Sequence, residues 1–274
     1  MRVISFNVNS LRARLDHLYR VIEKHSPDII GLQETKVSDD DFPVDAIHKM
    51  GYQVVFQGQK THYGVALLSK TPCLQVVKGF DHDNESSQKR LIRADYRVNG
   101  NQTLTVINGY FPQGENRGHP EKFPAKQRFY ENLLSVMQAS YDPHQLLLLM
   151  GDMNVALHDQ DVGIGENNVK RWLKEGKCCF LPEERTWFED LVSWGLSDTF
   201  RYHNPDISDL FSWFDYRSKG FEDEPRRGIR IDHILATASL LETSIDAGID
   251  YEIRGLEKPS DHCPIWADFS ISLA

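Results

Sequence analysis

A chain of 274 residues with 40% hydrophobic and 26% charged residues has ordinary globular composition, and folding at this length removes roughly 75% of the unfolded surface from water without staples. The cysteines (Cys73, Cys178, Cys179, Cys263) lack the C-x-x-C spacing of a structural zinc site, and no apolar run approaches the roughly 20 residues that span a bilayer. The net charge of −9 weighs against a nucleic-acid partner, because neutralised phosphates supply most non-specific affinity.

The run Val3–Phe6 predicts a strand that ends at Asn7. Asn9 and Ser10 read as caps for a helix carrying Leu11, Leu15, Leu18 and Ile22, which stops near Ser26-Pro27. A strand over Asp28–Glu34 follows. Pro43 opens a short helix with Ala46, Ile47 and Met50 on one side, closed by Gly51. Tyr52–Gln57 and Tyr63–Ser69 read as strands, and Leu91–Val98 and Thr103–Asn108 flank Asn99-Gly100, a pair suited to the positive φ of a tight hairpin. Phe129, Leu133 and Val136 make a helical stripe ending before Pro143. The scheme then restarts with a strand at Leu146–Met150, a helix at Glu183–Trp194, and strands at Ile229–Leu235 and Ile265–Ile271.

Hairpins mixed with helical crossovers argue against a purely parallel sheet. The expectation is an α/β fold, two mixed β-sheets packed face to face with helices on both outer sides, forming one domain over residues 1–274. Gln113–Phe123, Gln160–Cys179 and Phe211–Arg227 are expected to be long binding loops. Basic residues gather there and nearby: Lys89, Arg90 and Arg93 without an acid, and Lys170, Arg171, Lys174 and Lys177 against Glu175 alone. An acidic body with basic loops on one face can hold a polyanion.

The strand-like runs share one property: each leads into or out of a residue suited to phosphoryl chemistry. Asn7, Glu34, Tyr110, Asp152 and Asn154, Asp232, and Asp261-His262 all occupy such positions. An isolated Asp-x-Asn after a strand is first read as an Asx turn. Carboxylates, amides, a phenol and an imidazole at so many strand ends instead suggest a polar rim converging on one centre, organised by a divalent metal.

In chain order, Ser5-Phe6-Asn7, Leu32-Gln33-Glu34-Thr35-Lys36, Asn108-Gly109-Tyr110-Phe111-Pro112-Gln113-Gly114, Gly151-Asp152-Met153-Asn154, Arg230-Ile231-Asp232 and Ser260-Asp261-His262 resemble the bacterial exonuclease III family of the endonuclease/exonuclease/phosphatase superfamily, which includes DNase I. His62–Ala66 and Phe211–Ser218 extend the likeness along the chain. The resemblance implies a four-layered α/β sandwich and a Mg2+-dependent nuclease acting on duplex DNA, with Mn2+ as a substitute ion. Incision 5′ to abasic sites, 3′→5′ exonuclease action and removal of 3′ phosphate or blocking groups are the implied activities; the free cysteines and the lack of an export leader point to a cytoplasmic protein, expected to be a monomer with no membrane contact and no obligatory protein partner.

Hydrolysing an anionic phosphodiester requires neutralised oxygens and a water nucleophile in line. Glu34 is the expected metal ligand, with Asn7 supporting the ion directly or through water. Asp152 is expected to orient and deprotonate the water, Asn154 to hold the phosphate or the acid, and Tyr110 to act on the phosphate as phenol or phenolate. His262 should pair with Asp232 and stay positive. Asp261 is expected to bind metal or buttress the histidine, and a second ion would sit near Asp152, Asn154 and His262, so one-ion and two-ion schemes both stand. Arg90, Gln113 and Lys122 match family positions near the DNA. Trp213 is either a core aromatic or a flat surface for a baseless sugar, since a nucleotide without its base flips out at little stacking cost.

Two positions depart from the family pattern. Cys263 and His233 follow His262 and Asp232, and neighbours along a strand face opposite ways, so neither is assigned a catalytic role. The competing readings are a same-fold phosphatase or phosphodiesterase acting on inositol lipids or sphingomyelin, and a non-catalytic nucleic-acid-binding module. The first lacks the Phe211–Ser218 segment; the second predicts loss of a site residue, yet Glu34, Asp152, Asn154, Asp232 and His262 all stand.

Overall fold

The computed structural model describes residues 1–274. The first half contains β1 (Arg2–Asn7), α1 (Leu15–His25), β2 (Ile29–Gln33), α2 (Val44–Lys49), β3 (Gln53–Gln57), β4 (Val65–Ser69), β5 (Gln75–Lys78), β6 (Leu91–Val98), β7 (Gln102–Tyr110) and α3 (Lys122–Ser140). The second contains β8 (Leu146–Asp152), α4 (Glu166–Glu175), α5 (Pro182–Gly195), β9 (Leu196–Asp198), α6 (Thr199–His203), β10 (Asp232–Thr237), α7 (Ala238–Leu241), β11 (Ser244–Ile249), α8 (Tyr251–Arg254) and β12 (Ile265–Phe269). They form two six-stranded sheets, β11-β12-β1-β2-β4-β3 and β5-β6-β7-β8-β10-β9. Both sheets are mixed, with β1–β2 and β7–β8 parallel and the remaining pairs antiparallel.

Strand parity builds the layers. Val3, Ile29, Val65, Leu67, Leu148, Met150, Ile234 and Ile265 fill the slab between the sheets. Their neighbours Ile4, Phe6, Ile30 and Leu32 point outward onto Leu18, Val21 and Ile47 of α1 and α2. Leu147, Leu149 and Leu235 meet Phe129, Leu133, Phe188 and Leu191 of α3 and α5 on the other outer side. The result is the four-layered α/β sandwich. Burial on both faces explains why these strands read as continuous apolar runs instead of alternating ones.

The Asn99-Gly100 hairpin forms as expected, with φ of 47° and 79° and Val98 opposite Gln102. Gly151 is required by a close approach: a Cβ there would lie 1.9 Å from the Gly109 carbonyl oxygen on the parallel neighbour.

Three expectations are corrected. Asn9 and Ser10 do not cap a helix, because α1 begins at Leu15 behind Arg14. Both have positive φ, and the N–H groups of Ser10 and Leu11 donate to the carbonyls of Glu34 and Thr35 at 2.8 and 3.0 Å, joining the loops after β1 and β2. The supposed loop Gln160–Cys179 contains α4, whose apolar side is only Val169, Trp172 and Leu173, too narrow a stripe to stand out. The short strands β5, β9 and β11 were not expected, and no helix is long and apolar enough to cross a membrane.

Candidate active site

The parity that sends Val3, Met150 and Ile234 into the slab also sends Asn7, Asp152 and Asp232 inward, at the rim where apolar filling stops. Beneath this rim, buried amides tie the sheets together. Gln33 Nε2 donates to Asn108 Oδ1 at 2.6 Å and to Ser5 Oγ at 3.0 Å, while Asn108 Nδ2 donates to the carbonyls of Leu32 and Ala66. β8 and β10 pair so that Asp152 lies directly opposite Asp232. The polar rim therefore has a fixed floor.

Asn7 holds the acids. Its Nδ2 donates to Glu34 Oε1 and Asp152 Oδ2, both at 2.9 Å, and its Oδ1 accepts from the Asn9 N–H at 3.0 Å. This pattern turns the amide nitrogen, not its oxygen, toward the carboxylates. Asp152 Oδ1 accepts from the Asn154 N–H at 3.0 Å, and Asn154 Nδ2 donates to the Phe111 carbonyl at 3.0 Å. Glu34 and Asn154 have φ of 51° and 54°, a left-handed backbone costing on the order of 1–3 kcal/mol per residue that only a well-bonded surround maintains.

His262 faces this pair. Its Nδ1 lies 2.9 and 3.1 Å from the Asp232 carboxylate oxygens, and its Nε2 is 3.7 Å from Asp152 Oδ2. Donor atoms of Glu34, Asp152 and His262 all lie within 4.8 Å of one another. Asp261 stands beside the group with both oxygens engaged, Oδ1 by Asn9 Nδ2 at 2.9 Å and Oδ2 by Trp213 Nε1 at 3.0 Å. These bonds join the loop after β1 and the Trp213 indole to the segment before β12.

Burial pushes the Asp152 carboxyl up to about 8 against the pull of His262, with Asp232 and Glu34 adding to the rise. Burial would lower the His262 imidazole, but Asp232 and then Asp152 push it up to about 10. Burial also works against ionised Glu34 and Asp261. Lys36 and Asn7 nevertheless hold Glu34 below the usual carboxylate range, and His262, Asn9 and Trp213 do the same for Asp261. The Tyr110 phenol is driven well above its ordinary value, chiefly by burial and then by Glu34 and Asp152.

Glu34 and Asp152 offer hard oxygens in a desolvated acidic cluster, which suits a divalent cation such as Mg2+. His262 completes the group, with its Nδ1 held by Asp232 and its Nε2 turned toward Asp152.

Arg90 adjoins this centre through Tyr110, whereas Gln113 and Lys122 flank the segment between β7 and α3. The Arg90 guanidinium sits 4.2 Å over the Tyr63 ring and 4.6 Å over Tyr110, and its Nη1 donates to the Tyr110 carbonyl at 3.0 Å. Gln113 Oε1 accepts from the Glu115 N–H at 2.6 Å, and Lys122 pairs with Glu115 at 2.5 Å. Trp213 is half-buried, with its backbone bridged to Ile229 and His262, so it is both part of the packing and bonded to the site. His233 faces outward, with Nε2 2.8 Å from the Val155 carbonyl, and Cys263 is fully buried with its thiol pushed up by burial.

Sequence reasoning missed Asn9, Lys36, Tyr63 and Lys126. Lys126 left a signal: it shares the inward face of α3 with Phe123, Tyr130 and Leu133, an unusual place for a lysine.

The model of the endonuclease/exonuclease/phosphatase family matches residues 4–262. The chain is 55% identical to exodeoxyribonuclease III of Haemophilus influenzae, over 98% of this chain and all of that protein. It superposes on an AP endonuclease from Archaeoglobus fulgidus with a TM-score of 0.88 at 36% identity, covering 98% of this chain and 99% of that one. A Neisseria 3′ phosphatase bound to a product DNA hairpin gives a TM-score of 0.87 at 34% identity, with the same coverage.

Proposed function

Because the chain belongs to the endonuclease/exonuclease/phosphatase family, and within it to the exodeoxyribonuclease III group, we infer that it is a DNA-repair nuclease hydrolysing phosphodiesters at the Glu34–Asp152–His262 centre. The observation carrying this assignment is the convergence of two carboxylates and an imidazole within 4.8 Å, cross-linked by Asn7 and backed by Asp232.

Glu34 and Asp152 would hold Mg2+, with Asn7 fixing both carboxylates from behind. When bound, the ion supplies charge neutralisation at the phosphate oxygens. Asp152 Oδ2 accepts the proton of the attacking water as the new P–O bond forms and the bond to the leaving oxygen breaks. Burial, with Asp232 and Glu34 nearby, raises the proton affinity of this carboxylate above the ordinary range, which suits it to accept a proton from water once it is ionised. His262, kept positive by Asp232, donates from Nε2 to a phosphate oxygen, and Tyr110 adds a neutral O–H donor. Asp261 and Trp213 hold the segment that carries His262.

Arg90, Gln113 and Lys122 would contact the DNA backbone. The half-buried indole of Trp213, beside the centre, favours a sugar without a base, so abasic incision and removal of 3′ blocks are assigned to this one site in a monomer. Residues 1–274 act as one domain, since the sheet begun by β1 is completed by β11 and β12. A non-catalytic role conflicts with a complete acid–imidazole set, and the lipid-directed reading is disfavoured by the Phe211–Ser218 segment, whose Trp213 bonds Asp261 beside the centre.

A labelled duplex with a central abasic analogue, incubated with Mg2+ or with EDTA, tests the assignment. Internal cleavage that requires the metal supports it. An intact duplex under both conditions overturns it.

A further inference from the structure

We infer that Lys126 is a positioning residue that holds Asn154 and Gln113 in place from beneath the reaction centre. It is fully buried on α3, and its Nζ donates to the Asn154 carbonyl at 2.8 Å, to the Gln113 carbonyl at 3.3 Å and to Glu184 Oε1. An ammonium has three N–H donors, and these contacts use them all. Glu184 on α5 is fixed in turn, its Oε2 accepting from the Leu181 N–H at 2.8 Å.

The lysine contacts the two segments whose geometry the site needs. Asn154 has φ of 54°, its N–H bonds Asp152 and its side chain bonds Phe111. Lys126 secures the remaining backbone group, the carbonyl. The turn after Gln113 rests on the same side chain: a Cβ on Gly114 would lie 3.1 Å from Lys126 Cδ. Cohesion alone does not require this pair, because apolar side chains of similar volume often replace a buried ion pair without loss of stability. What apolar side chains cannot do is hold two carbonyl oxygens.

The inference rests on Asn154 belonging to the reaction centre, and the experiment separates the two claims. Single-turnover cleavage of the abasic duplex at saturating DNA and Mg2+, duplex binding and Tm are measured for Lys126→Met, Glu184→Gln, Lys126→Met/Glu184→Met and Asn154→Ala. Lys126→Met is expected to slow cleavage by about 10–100-fold, the range typical of groups that orient site residues, with binding nearly unchanged. The double variant recovers Tm but stays slow by at least about tenfold, and Glu184→Gln loses Tm yet cleaves within about threefold of wild type.

Recovery of both rate and Tm in the double variant overturns the inference. So does a Glu184→Gln enzyme as slow as Lys126→Met, a comparison that decides the matter if the double variant does not fold. Wild-type cleavage by Asn154→Ala instead removes Asn154 from the centre, whatever Lys126 does.

Discussion

His262 Nδ1 lies 2.9 Å from Asp232 Oδ2 across a register that sets Asp232 opposite Asp152, so one carboxylate charges the imidazole that faces the other. Removing that charge with Asp232→Asn leaves burial less opposed, and the His262 pKa falls from about 10. Wild type keeps the imidazolium at about pH 9, whereas the variant loses it as pH rises. The loss in cleavage rate is therefore larger at about pH 9 than at about pH 6.5, and parallel pH–rate profiles contradict the pairing.

Glu34→Gln removes a hard anionic oxygen while keeping the side chain's size. The Mg2+ concentration for half-maximal cleavage rises by at least about tenfold, beyond what an orienting group at the lower end of its usual range would cost. A metal titration on a fixed duplex measures it. An unchanged midpoint removes Glu34 from the ion site.

Arg90→Ala takes away a guanidinium held between the Tyr63 and Tyr110 rings. Duplex affinity falls, and the slope of log K against log salt becomes shallower by about 1, the value of one phosphate contact. An unchanged slope leaves Arg90 with a packing role only.

Asp250 provides a stability test away from the site. His25 Nε2 lies 2.6 Å from one oxygen and Lys24 Nζ 3.0 Å from the other. Burial would raise this carboxyl, but the bonds from His25 and Lys24 bring it down to about 2 from an ordinary 3.8. A depressed pKa contributes stability above the unfolded value, lost as pH falls through the folded one. Asp250→Asn should therefore destabilise the protein at pH 7 by on the order of 1–2 kcal/mol, allowing for partial solvent screening, and the gap to wild type should close between about pH 4 and pH 2. Denaturant melts across that range check it.

The layers were legible because parity leaves a mark: Ile29-Ile30-Gly31-Leu32 and Leu146 to Met150 are apolar at every turn of the strand, which only burial on both faces explains. Glu34, Asp152, Asp232 and His262 were legible because each polar residue interrupts or adjoins such a run. Asn9 misled because a capping residue and a residue bonded to Asp261 look alike until the fold brings Asp261 within reach, 252 positions away. Lys126 left only the hint of a lysine on the apolar face of α3, and its partner Glu184, 58 residues away, could not be read from the sequence. The three-residue β9 is too short to show a period, and it exists because β10 offers it an edge.

Asp152 is held by Asn7 and Asn154 and faces His262, and we propose that it takes the proton of the attacking water. Single-turnover cleavage and equilibrium binding of one abasic duplex, compared between wild type and Asp152→Asn at saturating Mg2+, tests it most directly. The expected rate is lower by about 10²–10⁴-fold with duplex affinity retained. A variant that cleaves within a few-fold of wild type places the base elsewhere and contradicts it.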